Sequence, residues 1–193
     1  MLVLNEQEII QGCKAHDRKV QAYLYKARYS DYLKICLRYA PTYEDAEQLL
    51  NDAFYKIFTR VGQYDNSGSF EGWMKRVLIN TCLDGLKTAI KKNRDNVELD
   101  ETHLDDTMPS NFSDVLQQIN FKELVLLIQK LPAPYRAAFN LYVFEGYSHR
   151  EIAEGLQVKE GTSHWYVNQA REWLKKKLSS QHVKVESYGK NGL

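Results

Sequence analysis

A chain of 193 residues is long enough for one sizeable domain or two small ones, and 44% hydrophobic residues suffice for a real core. Its formal charge of +1, from 26 Lys and Arg against 25 Asp and Glu, is low for a nucleic-acid binder, so such a surface must come from segregated charge or from a partner. The three cysteines, Cys13, Cys36 and Cys82, form no paired motif, and none of the five histidines makes metal spacing with them, which excludes a disulfide scaffold and argues against zinc.

The cysteines sit in apolar helical patterns and read as buried free thiols in a reducing compartment. The N-terminal MLVLNEQEII carries glutamates where a signal peptide needs a basic run and a long apolar core. No apolar stretch approaches the roughly 20 residues that span a bilayer. The expectation is a soluble, cytoplasmic protein with no membrane insertion, no metal and no cofactor.

Residues 5–39 have helical periodicity, with Ile9, Ile10, Cys13, Val20, Leu24, Tyr32, Leu33 and Cys36 among the apolar positions. Pro41 ends the run, and Thr42 with Asp45 makes an N-cap signature for the next helix. That helix, 43–61, has an unbroken inner stripe of Ala46, Leu49, Leu50, Ala53, Phe54, Ile57, Phe58 and Val61. Its outer face is acidic at Glu44, Asp45, Glu47 and Asp52, with no basic residue before Lys56. Two readings fit that acid equally: complement to the helix dipole, or a docking face for a basic partner.

Residues 62–69, GQYDNSGS, are a loop by composition, followed by a helix over 73–90. Lys75, Arg76, Lys87, Lys91, Lys92 and Arg94 outnumber the acids in and just beyond that helix. An aromatic-containing loop beside a basic helix is the combination that stacks unpaired bases and neutralises their phosphates. The plainer alternative makes Phe70 and Trp73 core and the lysines merely solvated.

Residues 94–114 read as an acidic linker, with Asp95, Glu98, Asp100, Glu101, Asp105, Asp106 and Asp114 and few apolar positions. The period returns from Val115, Pro132 and Pro134 close that helix, and another over 135–145 ends at Gly146 in the C′ position. Ser148 and Glu151 then form a capping box for a short helix with Ile152, Ala153 and Leu156 inward, and the pattern breaks from Gly155. A second helix begins near Lys159 or Glu160, its inner stripe marked by Ser163, Val167, Ala170, Leu174 and Leu178. Two helices about a tight turn describe a helix-turn-helix, although an ordinary helical hairpin has the same pattern. The fold class is therefore all-α: a helical domain at 1–93, the linker at 94–114, a second at 115–180 ending in the helix-turn-helix, and a polar, frayed tail at 181–193.

Three segments in this order resemble the extracytoplasmic-function subgroup of bacterial RNA polymerase sigma factors. The run DAEQLLNDAF at 45–54 is similar to the family's DAEDLVQETF helix. GSFEGWMKRVLIN at 68–80 is similar to its GSFxxWLxRIAxN, and 146–162 matches its helix-turn-helix. The resemblance implies a non-catalytic initiation factor that brings core RNA polymerase to promoters. Its implied partners are the polymerase, through the clamp helices of the largest subunit and the flap, promoter DNA, and an anti-sigma factor or another recruiting protein. It further implies polymerase contacts at Asp45, Gln48, Leu49, Asn51, Asp52 and Tyr55. Tyr64, Asp65, Asn66, Ser67, Phe70, Trp73, Arg76 and Asn80 are implied to melt the −10 element and hold a flipped base.

The −35 candidates are Ser148, Arg150, Thr162, His164, Trp165, Tyr166, Asn168, Gln169 and Arg171. With Val167 and Ala170 inward, His164, Trp165, Asn168, Arg171 and Lys175 should face the groove, with Tyr166 and Gln169 on its flanks. The family's basic run near VKSRLxRAR is here SHWYVNQAR, in which only Arg171 keeps its charge. Each lost phosphate contact removes about one unit of salt slope, so weak binding with shallow salt dependence is expected. Alternatively, the two aromatics are packing residues that rotate the helix. The competing function is a free-standing helix-turn-helix regulator whose N-terminal domain senses a ligand or dimerises. Nothing supports an enzyme: the sequence has no Gly-rich phosphate loop, metal cluster or nucleophile beside a base.

Overall fold

Most helices start where a side chain takes up N–H groups that the first turn leaves unpaired. The structure, a computed structural model, describes residues 4–94 and 120–188, with side chains described at 4–87, 120 and 122–178. Of the residues expected as linker, 94–114, Arg94 is helical and 95–114 lie outside these. Among the described residues there is no strand. The chain forms two compact units, 1–85 and 86–193, the division falling inside a helix ahead of the compositional boundary at 93.

The first unit holds α1 (Glu6–Lys14), α2 (Arg18–Tyr39), α3 (Tyr43–Arg60), a 3-10 turn (Val61–Gln63) and the start of α4 (Phe70–Arg94). The periodic stretch over 5–39 is thus two helices. His16 takes positive φ (55°), and the Asp17 carboxylate accepts from the Lys19 and Val20 amides to start α2. Asn5 and Thr42 cap α1 and α3 in the same way. Leu24, Tyr32 and Cys36 of α2, Leu50, Ala53, Phe54 and Ile57 of α3, and Met74, Leu78 and Cys82 of α4 are buried. All three cysteines are free and buried, and burial with the nearby Asp17 charge pushes the Cys13 thiol up to about 11. Helix α4 begins at Phe70 rather than Trp73, because the Ser69 hydroxyl accepts from the Gly72 amide at 3.1 Å and serves as its cap.

The second unit holds α5 (Phe121–Gln129), α6 (Ala133–Val143), α7 (His149–Leu156) and α8 (Glu160–Tyr188). Its core joins Leu124, Leu127, Ile128 and Leu131 to Phe139 of α6 and to Ala170, Leu174 and Leu178 of α8. Arg136 reaches back to the end of α5, donating through Nη1 to the Gln129 carbonyl at 2.9 Å. Helix α6 runs two residues ahead of the span expected for it, since Pro132 and Pro134 start it instead of separating it from α5. Gly146 has φ 74°, the left-handed region that glycine enters freely. Helix α7 runs through Gly155, and its left-handed C-cap is Gln157 (φ 57°). The backbone of α8 stays helical to Tyr188, past the point where fraying was expected.

The capping box at α7 is complete. The Ser148 hydroxyl and amide donate to Glu151 Oε2 at 2.7 and 2.8 Å, and the Glu151 amide donates back to Ser148 Oγ. These bonds hold the Glu151 carboxyl below its ordinary value. Their contribution is therefore present at neutral pH and lost as pH falls through that lowered value. Ser148→Ala should destabilise the second unit by about 0.5–2 kcal/mol in a denaturant titration, with the deficit shrinking under acid. An unchanged midpoint would show that the cap contributes nothing.

Candidate functional site

The outer face of α3 follows from its inner one. With Ala46, Leu50, Ala53, Phe54 and Ile57 buried, Asp45, Gln48, Asn51, Asp52 and Tyr55 are left exposed, and Leu49 is half-buried at the edge. The Thr42 hydroxyl donates to Asp45 at 2.7 Å, and Gln48 Nε2 donates to Asp52 at 3.2 Å, one turn on. Tyr43 and Tyr55 flank these acids at 50% and 70% exposure. Large aromatic rings left in water among carboxylates are the residues that partner proteins cover. Tyr25 and Tyr29 of α2 border the same face through bonds to Asn51 and Glu47. The Tyr29 hydroxyl is held above its ordinary range by its bond to Glu47 and by Tyr43.

The loop between the 3-10 turn and α4 is fixed from inside. Tyr64 is buried and donates to the Gly68 carbonyl at 2.7 Å. Its ring packs on Phe70 (5.2 Å between centroids) and Trp73 (5.8 Å), which stack on each other within 11° of parallel. Asp65 Oδ1 accepts from the Ser67 hydroxyl (2.7 Å) and amide (2.9 Å), bonds that hold its carboxyl below the usual range. Asn66 and Gly68 take positive φ, 63° and 100°, so the chain turns sharply over a carboxylate. Asp65, Asn66 and Ser67 are left exposed, whereas Phe70 is buried and Trp73 half-buried. Phe70 is therefore core, and Trp73, stacked on it, walls the loop while half-buried. Arg76 and Asn80 lie exposed on the same side of α4, three and seven residues beyond Trp73.

In the second unit Ser148 and Arg150 are exposed, and Arg150 pairs with Glu154 at 3.4 Å. His164, Trp165, Asn168 and Gln169 are half-buried, and Thr162 is buried. Three expected positions are corrected, the first being Thr162, expected on the DNA-contacting surface but only 8% exposed. Tyr166, expected on the flank of the groove-facing surface, is 1% exposed and packs on Tyr135 at 5.6 Å. Arg171, expected to face outward, is 6% exposed, with its guanidinium over the Tyr142 ring at 5.3 Å and Nη1 donating to Asn168. Helix α8 touches α5, α6 and α7, so it buries a wider arc than a stripe facing one neighbour. Tyr166 is thus the packing residue that the alternative reading had it to be.

Sequence reasoning missed Tyr142 and His149. Tyr142 stacks on His149 at 4.4 Å, and His149 stacks on His164 at 3.6 Å while its Nδ1 meets Ser163 Oγ at 3.0 Å. These rings span three helices, and no local spacing marks them. Among the described residues no group of His, Cys, Asp or Glu is arranged to hold a metal, and no helix is long and apolar enough to cross a membrane.

Comparison with known proteins gives two family matches in chain order: Sigma-70 region 2 over residues 24–92 and Sigma-70 region 4 over 121–174. The RNA polymerase sigma-H factor of Pseudomonas aeruginosa is 25% identical over 184 residues, 90% of this chain and 93% of that protein. The ECF RNA polymerase sigma factor SigE of Mycolicibacterium smegmatis is 30% identical over 151 residues, 76% of this chain and 56% of that protein. The ECF RNA polymerase sigma-E factor of Haemophilus influenzae is 25% identical over 186 residues, 91% and 96% of the two chains. The α3 face and the loop at 64–69 fall in the region 2 match, and the helix-turn-helix in the region 4 match. The chain belongs to the extracytoplasmic-function (ECF) sigma factors, DNA-binding proteins that initiate transcription with RNA polymerase.

Proposed function

We propose that this sigma factor docks on the clamp helices of the largest polymerase subunit through the outer face of α3, with Asp45, Gln48, Asn51, Asp52 and Tyr55 in contact and Leu49 at the margin. The loop at 64–69 then receives a base flipped from the non-template strand of the −10 element, bounded by Tyr64, Phe70 and Trp73. Arg76 and Asn80 follow the strand along α4. Flipping costs a few kcal/mol of unstacking, which hydrogen bonds to the base and packing against the loop offset. In the second unit, Ser148, Arg150, His164, Trp165, Asn168 and Gln169 form the −35 surface, with the unit held near the polymerase flap. That surface has few cations, so promoter contact depends on the polymerase, and an anti-sigma factor or recruiting protein completes the partner set.

One observation carries this reading. Asp65, Asn66 and Ser67 are exposed on a loop whose shape is already set by the Tyr64–Gly68 and Asp65–Ser67 bonds. A preformed pocket binds a flipped base without the entropy cost of ordering itself. Asn80→Ala, and replacement of Asp65–Ser67 by alanines, should lower open-complex formation by about tenfold or more while initial promoter binding changes little. Permanganate reactivity of the −10 thymines measures this. Equal reactivity with variant and parent protein would sink the loop assignment.

A further inference from the structure

Tyr25, Tyr29 and Tyr32 lie on one side of α2, four and three residues apart, and each hydroxyl donates to a different residue on another helix. Tyr25 donates to Asn51 Oδ1 at 2.9 Å and Tyr29 to Glu47 Oε1 at 2.7 Å, both on α3. Tyr32, fully buried, donates to Glu71 Oε1 at 3.2 Å, in the first turn of α4. The other Glu71 oxygen faces Arg28 Nε at 2.8 Å, a charge contact one turn before Tyr32. Phe54 knits the row together: its ring lies 4.7 Å from Tyr25 and 5.7 Å from Tyr32, and Tyr25 is 5.6 Å from Tyr29.

Packing alone does not account for the hydroxyls, since phenylalanine would fill the same space. What they add is direction. Asn51 is exposed, Glu47 and Glu71 are half-buried, and long polar side chains at such sites sample several rotamers in water. A tyrosine hydroxyl anchored in a packed aromatic row removes that freedom at small entropic cost. The acceptors divide by location. Asn51 and Glu47 belong to the helix that presents the acidic face, and Glu71 sits between Phe70 and Trp73, the wall of the loop at 64–69.

We infer that the α2 tyrosines are positioning residues with two separate tasks. Tyr25 and Tyr29 hold Asn51 and Glu47 in the arrangement that α3 offers to polymerase. Tyr32, with Arg28, holds the first turn of α4 so that the loop meets its base in register. This rests on the docking and opening roles proposed above for α3 and the loop.

The test uses the full chain carrying Tyr25→Phe, Tyr29→Phe, Tyr32→Phe or Glu71→Gln, each of which keeps the side-chain volume. Affinity for core polymerase and the open fraction of saturated holoenzyme on one promoter are measured separately, beside the thermal midpoint. Each variant loses one hydrogen bond or weakens one charge pair, a change of about two- to tenfold. Tyr25→Phe and Tyr29→Phe should weaken core affinity by that factor and leave the open fraction of saturated holoenzyme unchanged. Tyr32→Phe and Glu71→Gln should do the reverse. If all four change neither quantity, or change both in proportion to lost thermal stability, the row is structural packing and the inference fails. A parent protein that does not bind core overturns the docking proposal and the inference with it. A working parent with indifferent variants overturns the inference alone.

Discussion

Replacing Asp45 and Asp52 together by lysine is expected to weaken binding to core RNA polymerase by roughly two orders of magnitude. Both carboxylates are exposed on one side of α3, at steps of three and four through Gln48. Placing like charges across an interface costs several kcal/mol, and about 1.4 kcal/mol is a factor of ten in affinity. The cost to the fold is much smaller. Lysine at position 45 loses the Thr42 hydroxyl and the favourable end of the helix dipole, together about 1 kcal/mol, and Asp52 gives up only an exposed bond from Gln48. Affinity for core should therefore fall while the thermal midpoint of the free protein moves by a few degrees at most. Unchanged affinity in a correctly folded double variant would show that polymerase does not read this face.

The second large effect is on stability. Phe139 is fully buried and touches the cluster that joins α5, α6 and α8, with Phe144 edge-on at 6.0 Å. Phe139→Ala removes a ring and leaves a cavity that the helices around it cannot close, a loss of about 3–5 kcal/mol. That is a large share of the stability of a small domain. Trp165 and Trp173 report on this unit, so a denaturant titration followed by fluorescence in a Trp73→Phe background isolates it from the first. The midpoint should drop sharply, and a loss below about 1 kcal/mol would mean that the core is not organised around Phe139.

What the sequence made legible was local. Thr42 and Ser148 announced their helices because a cap works within three residues, and the inner stripes of α3 and α8 were readable because each has a single period. The stripe of Ser163, Val167, Ala170, Leu174 and Leu178 is buried throughout. Gln157 was not legible as the turn of the helix-turn-helix, since Gly155 nearby is the stronger signal for a left-handed residue. The start of α4 was placed late because Gly72 reads as loop, whereas the Ser69 cap makes Phe70 the first helical residue.

The candidate sites were legible as residue sets and not as surfaces. Periodicity gave the exposed face of α3, because one neighbouring layer determines it. On α8 the burial of Tyr166 and Arg171 depends on three neighbours at once, and that arrangement is written nowhere within the helix itself. The same holds for Tyr25 and Asn51, 26 residues apart, and for Tyr32 and Glu71, 39 apart. Bonds across such separations leave no spacing signature. They form only when α2 packs against both α3 and α4.

As a sigma factor, this chain should direct polymerase to start sites that core enzyme alone does not use. The direct measurement is transcription in vitro with purified protein, core RNA polymerase and genomic DNA, mapping the 5′ ends of the transcripts. Discrete start sites that appear only with the protein, share upstream elements and vanish with the Asp45→Lys/Asp52→Lys variant are the predicted result. Identical transcripts with and without the protein, together with sequence-specific binding of DNA by the protein alone, would contradict it and identify a free-standing regulator instead.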